Sequence, residues 1–168
     1  AKQIITATGA IERPLSFPGN DIPGIMLASA VRDYATNFGV AVGDKVAIFT
    51  NNDDAYRTAI TLHEIGVTVP VIIDARSGGG GELAHHAKEL GIRVENGKAI
   101  LNVFGQKRVK AVTICDYEKS GANKEKIECD SIAMSGGWSP VVHLFSHCGG
   151  KLKWDEDLAM FRPDKAAK

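Results

Sequence analysis

Neither sign of charge is in excess, since 20 basic and 20 acidic residues balance among 168. With no basic run either, the electrostatic case for a nucleic-acid or anionic-membrane partner is missing. No apolar stretch approaches the roughly 20 residues that cross a bilayer, and no signal-peptide pattern opens the chain, so a soluble, cytoplasmic protein is expected. Cysteine is scarce. Cys115, Cys129 and Cys148 show no C-x-x-C spacing, which argues against a zinc ribbon or a redox-active disulfide and predicts buried thiols for the first two. The chain is long enough for one sizeable core.

Hydrophobic periodicity divides the chain into alternating elements. A short strand is expected from Gln3 to Ala10, followed by a Pro-punctuated loop to Pro23. Leu27, Val31, Tyr34, Ala35 and Phe38 fall at helical spacing, with Gly39 placed to end the helix. Lys45–Phe49 reads as a strand, Asp53–Gly66 as a helix with Ala55, Ala59, Leu62 and Gly66 on one face, and Val69–Asp74 as a second buried strand. Gly78–Gly81 predicts a flexible connection into a helix over Glu82–Leu90. Then the period changes. Ala99–Phe104 and Arg108–Tyr117 form two extended runs joined through Gly105-Gln106, with a third strand at Lys126–Cys129 and a buried one at Ser131–Ser135. In the tail one helical turn is expected around Glu156–Phe161. The chain starts without Met, directly in an apolar strand, and both ends look cut from a longer polypeptide.

The unit from Lys45 to Asp74 is the skeleton of a dinucleotide site. In such βαβ units the acidic residue after the second strand, about 20 residues beyond the first turn, accepts hydrogen bonds from the adenine ribose. Asp74 has that place. The usual glycines are missing, however. Where G-x-G-x-x-G is expected the turn reads Thr50-Asn51-Asn52-Asp53-Asp54-Ala55. The Cβ of Asn52 should push a phosphate outward, and Asp53 and Asp54 place negative charge at a helix start that would otherwise welcome an anion. Asn52 or Asp53 also makes a good N-cap, which needs no ligand.

The flanks carry a resemblance. Ala7-Thr-Gly9, continuing to Phe17, resembles the segment by which flavoproteins with two dinucleotide-binding domains cross into the second domain, and Asp130–Pro140 resembles the return crossing. More particularly, Gly9–Leu15, Asn51–Arg57, Val71–Arg76, Met134–Pro140 and Gly149–Asp155 are similar to the alpha subunit of heterotetrameric sarcosine oxidase. The resemblance covers nearly the whole chain. It implies an α/β fold, a Rossmann-like FAD/NAD(P)-binding domain with a parallel sheet flanked by helices and a small antiparallel β-meander. The NAD-binding domain would span 26–130, with 1–25 and 131–168 as flanking segments of a truncated first dinucleotide-binding domain.

It further implies NAD as the cofactor of this domain. The parent complex of beta, gamma and delta subunits with the remainder of the alpha subunit would use FAD, FMN and tetrahydrofolate to demethylate sarcosine oxidatively to glycine. The domain alone would hold cofactor and not catalyse. Carried onto this chain, Thr50, Asn51, Asn52 and Asp53 would line the pyrophosphate side, with Asp74 on the adenine ribose and Ala75 and Arg76 just beyond it. Arg76 would pack on adenine or pair with Asp74, and a 2′-phosphate would be repelled by Asp74, so NAD is preferred to NADP. Thr8, Gly9, Ser135, Gly136 and Gly137 would approach the nicotinamide half. Two other roles compete. One is a scaffold that has lost its nucleotide, suggested by the Asn-Asn-Asp-Asp turn. The other is an alpha-type chain of an opine or amino-acid dehydrogenase.

Other clusters point elsewhere only weakly. His143, His147 and Cys148 suggest a metal set, but Pro140 and Gly149-Gly150 argue against the helix that would align them. His85 and His86 are adjacent on a helix and cannot face one site. Cys148 beside His147 lacks the orienting third group of an activated nucleophile. Trp138 and Trp154 are expected to pack in a parent or to mark a contact between subunits.

Overall fold

The computed structural model describes residues 4–119 and 121–165. In chain order it contains β1 (Ala10–Glu12), β2 (Ile25–Leu27), α1 (Ala28–Phe38), β3 (Val46–Thr50), α2 (Asp54–Glu64), β4 (Ile72–Asp74), α3 (Gly81–Glu89) and β5 (Val94–Asn96). There follow β6 (Lys98–Gly105), β7 (Val109–Asp116), β8 (Glu125–Glu128), β9 (Ser131–Ser135), β10 (Trp138–Pro140), α4 (His143–His147), β11 (Lys151–Asp155) and β12 (Met160–Lys165). No helix among the described residues is long and apolar enough to cross a membrane.

Two compact units divide the chain, residues 14–137 and the remainder on either side. The larger is built on a five-stranded parallel sheet of order β2-β9-β3-β4-β5. Alternate residues of each strand face opposite ways. Val46, Ile48, Ile72 and Ala133 pack against α1, α2 and α3. Ala47, Phe49, Val71, Ile73, Ile132 and Met134 pack with Val103, Val112, Ile114 and Ile127 of the antiparallel meander β6-β7-β8. Apolar side chains are thus demanded on both faces, which is why β3 and β9 read as unbroken buried runs.

The division differs from the expected one. A boundary after residue 130 would place Ser131–Ser135 with the flank, yet β9 pairs with both β2 and β3 in the interior of the sheet. Removing it would split the sheet in two. Tyr34 and Phe38, counted among the helically spaced apolar positions of α1, are exposed, with their rings tilted against one another at 5.9 Å between centroids. The turn between β6 and β7 runs over three residues, 106–108, because the ladder shifts register between Phe104 and Gly105.

In the smaller unit the described residues 4–9 form no strand, and Gln3 lies outside the described residues. The strand is instead β1, paired antiparallel with β10. The two segments that resemble domain crossings therefore run side by side. Beside them the Thr8 hydroxyl donates to the Val141 carbonyl, and the Val141 N–H donates to the Gly9 carbonyl at 3.0 Å. His143–His147 forms one helical turn despite the neighbouring Pro and Gly residues. The helical turn expected near Glu156–Phe161 is instead a β-hairpin, β11 with β12, pinned by Trp154 edge-on to Phe161 at 5.0 Å and by Arg162 to Asp155 at 3.1 Å. Residues 166–168 of the expected tail lie outside the described residues.

Candidate functional site

After β3, β4 and β5 advance across the sheet in one direction, the chain returns through the meander to β9 on the other side of β3. The point between β3 and β9 is where the winding reverses, and open α/β sheets bind ligands at the carboxyl ends of strands at such a point. Thr50 and Ser135 are register partners there, both fully buried.

The turn that follows is tied down by side chains. The Thr50 hydroxyl accepts from the Asn52 N–H at 3.0 Å. The Asn52 side-chain amide donates to the Ser135 hydroxyl at 2.9 Å and to its carbonyl at 3.1 Å, while its oxygen accepts from the Asp54 N–H at 3.1 Å. Asn52 therefore satisfies an orphan donor of α2, as an N-cap residue would. Neither acidic residue at the helix start faces solvent alone. Asp54 pairs with Arg32 at 3.2 Å, and Asp53 accepts from Arg76 at 2.7 Å and from the Gly80 N–H at 3.0 Å.

Asp74 closes β4 with no exposed surface. Its Oδ1 accepts from the Arg76 backbone N–H at 2.9 Å and from Arg76 Nε at 3.0 Å, and its Oδ2 accepts from the Tyr56 hydroxyl at 2.8 Å and from Arg76 Nη2 at 2.8 Å. A carboxylate has about four lone-pair sites, so these four donors fill it. In this arrangement Asp74 has nothing left to offer a ribose hydroxyl. Burial, and then the bond to Asp74, pushes the Tyr56 hydroxyl well above its ordinary range, so it stays a donor. Hydrogen bonding to Asp74 and Asp53 likewise raises Arg76 and keeps it charged.

Gly78–Gly81 does not act as the expected flexible connection. A Cβ on Gly79 would strike Asp74 Oδ2 and the Arg76 guanidinium, and one on Gly80 would lie 2.7 Å from the Tyr56 ring and 2.5 Å from Ala84. The glycines let this loop close over the Tyr56–Asp74–Arg76 cluster, with Gly80 at φ +93°. Here backbone approaches a salt bridge in the way that glycines elsewhere let it approach a phosphate.

On the meander side of these strand ends lies a crevice of about 370 Å³. Leu15, Phe17, Phe49, Ala75, Ala99 and Ile100 line it together with Ser16, Asn51, Arg76 and Tyr117. The Ala75 N–H is held by the Thr50 carbonyl at 2.9 Å.

The larger unit thus gathers Thr50, Asn51, Asn52, Asp53, Asp74, Ala75, Arg76 and Ser135 at one end of the sheet. Gly136 and Gly137 follow β9 and are buried. Thr8 and Gly9 belong to the smaller unit. Tyr56, Gly79 and Gly80 are not legible as site residues in the sequence; the only signal is four consecutive glycines soon after a strand that ends at Asp74. Among the described residues no group of three His, Cys, Asp or Glu side chains is placed to hold a metal.

Over 99% of its length the chain is 39% identical to the sarcosine oxidase alpha subunit of Corynebacterium sp. (strain U-96), and over 96% it is 39% identical to the corresponding protein of Rhizobium meliloti (strain 1021). The chain matches one segment of sarcosine oxidase alpha subunits. It spans 17% and 15% of the length of those two relatives. Similarity to an opine oxidase subunit of Agrobacterium tumefaciens (strain Ach5) is lower, 24% over 95% of the chain and 35% of that protein. No family model matches. Among solved structures, thioredoxin reductase of T. acidophilum superposes with a TM-score of 0.68 at 17% identity, covering 86% of this chain and 47% of that one. The two share an α/β fold with a parallel sheet flanked by helices.

Proposed function

We propose that this chain forms the NAD-holding domain of a sarcosine oxidase-type alpha subunit. What carries the reading is the likeness to those subunits over almost every residue, at an identity well above the opine oxidase match. The fold adds support, because a parallel sheet with its winding reversed between β3 and β9 has a ligand-binding edge where Thr50, Asn52 and Ser135 meet. In this proposal the whole complex, cytoplasmic and assembled with beta, gamma and delta subunits, oxidatively demethylates sarcosine to glycine with FAD, FMN and tetrahydrofolate. The domain itself only holds its dinucleotide. NAD is favoured over NADP because Asp53 and Asp74 share one arginine, which leaves the cluster a net negative charge against a 2′-phosphate.

Nucleotide released by denaturing the full-length alpha subunit, purified with its partners, tests the proposal. NAD in near-equal molar amount to the protein is expected. A preparation that carries no NAD and binds none when titrated rejects it.

One observation favours a second reading, a scaffold for neighbouring subunits without nucleotide. The carboxylate that would grip a ribose is filled by protein donors. The same release experiment separates the two. Assay of the intact complex on sarcosine against opines separates the proposed activity from that of an opine-oxidising enzyme.

A further inference from the structure

Within the crevice at the ends of β3 and β4, Arg76 is the one charged residue among those lining it. Its guanidinium is held at two corners. Nε and Nη2 both bond Asp74, and Nη2 also meets Asp53. No described residue accepts a hydrogen bond from Nη1, and the side chain keeps 36% of its surface open. The planar group is therefore clamped without being consumed, and it presents an unused N–H₂ and a cationic face. Of the remaining lining residues, Leu15, Phe17, Phe49, Ala75, Ala99 and Ile100 are apolar, while Ser16, Asn51 and Tyr117 carry polar groups.

A slot lined mostly by apolar side chains, with a fixed guanidinium, suits a flat, electron-rich ring that stacks. The carboxylate expected to accept from a ribose, Asp74, is saturated and does not line the crevice. Resting on the dinucleotide reading, we propose that the adenosine half is recognised through its purine ring by Arg76 in this crevice, and that Asp74 is a positioning residue that never touches the ribose. Tyr56, Asp53 and the Gly79–Gly80 loop complete the clamp. Recognition then shifts from ribose hydroxyls to the base.

Titration of the full-length alpha subunit, in its complex and freed of nucleotide, with AMP, 2′-deoxy-AMP, 3′-deoxy-AMP and ribose 5-phosphate tests this without any substitution. Both deoxy nucleotides should bind within about 3-fold of AMP, whereas a hydroxyl gripped by a carboxylate would cost about 10-fold or more. Ribose 5-phosphate should bind at least about 10-fold more weakly than AMP, for want of a stacking ring. A deoxy nucleotide weaker by more than about 3-fold, or ribose 5-phosphate as good as AMP, overturns the inference while leaving the NAD proposal standing. A complex that binds neither NAD nor AMP removes both. Two variants supply an independent readout. Ala99→Trp should fill the crevice and weaken AMP at least about 10-fold. Asp74→Asn should weaken AMP in the wild-type background but cost nothing further in an Arg76→Ala background, as expected for a group acting through another. An equal loss in both backgrounds would mean that Asp74 contacts the nucleotide directly, against the inference.

Discussion

The Tyr56 hydroxyl donates to Asp74 at 2.8 Å, with both residues shut off from solvent. A phenol from the first turn of α2 thereby reaches the end of β4, and a helix and a strand are locked through one charge-assisted bond. Removing the hydroxyl leaves Asp74 with its three bonds from Arg76, so Tyr56→Phe should destabilise the larger unit by about 1–3 kcal/mol. Denaturant unfolding followed at constant slope measures it. No loss would mean that the bond contributes nothing net.

Removing the other partner should cost more. Asp74→Ala strands the Tyr56 hydroxyl and the Arg76 guanidinium together, and a buried pair broken from one side typically costs about 3–5 kcal/mol. Partial exposure of Arg76 brings the expected loss down to about 2–3 kcal/mol. Restoring the shape with Asp74→Asn should recover part of it in the same unfolding assay.

The glycine loop offers an internal control. Gly78 has open space around it, and Gly78→Ala should fall within about 0.5 kcal/mol of wild type. Gly80→Ala meets the Tyr56 ring and Ala84 at a positive φ, and should lose about 2–4 kcal/mol. Thermal melts of the two variants side by side decide whether this loop is a packed cover or a tether, since equal melting points would make it a tether.

Alkaline stability follows from two groups. Burial, with Asp130 adding to it, pushes the Cys129 thiol up to about 12 from its ordinary 9.0, and Tyr56 lies above its ordinary 10.0. A raised folded-state value means that stability is fully present below the unfolded value and is lost as pH climbs toward the folded one. The unfolding free energy should therefore decline from about pH 9 upward. Cys129→Ala should flatten the limb between about pH 9 and 12, and Tyr56→Phe the limb that starts near pH 10. A wild-type profile already flat there refutes both assignments.

Thiol chemistry should divide the cysteines one to two. Cys148 is exposed while Cys115 and Cys129 are buried. A thiol-reactive chromophore at pH 8 should consume one group quickly in the native chain and three after denaturation. Two fast groups would place Cys115 or Cys129 at the surface.

How far the residues alone disclose this protein varies by element. β3 and β9 are legible because each is buried against two layers, which leaves unbroken apolar runs, and α2 because the face it buries recurs at helical spacing. The hairpin β11–β12 reads as a helical turn because its residues are mostly exposed or half-buried, so no alternation marks it. β5 leaves no pattern of its own, being three residues long at the sheet edge.

Asp74 shows the same limit at the site. Its position after the second strand of a βαβ unit can be read from spacing, since strand length and helix length set where the carboxylate must fall. Whether its oxygens are free cannot, because one bond comes from Tyr56 on α2 and the other three from Arg76, whose side chain must fold back on Asp74. Periodicity and local spacing are properties of neighbours along the backbone, and they established the α/β layering and the position of Asp74 at a strand end. Hydrogen-bond saturation is a property of neighbours in space, and only the packed loop over β4 decided which side chain faces the crevice.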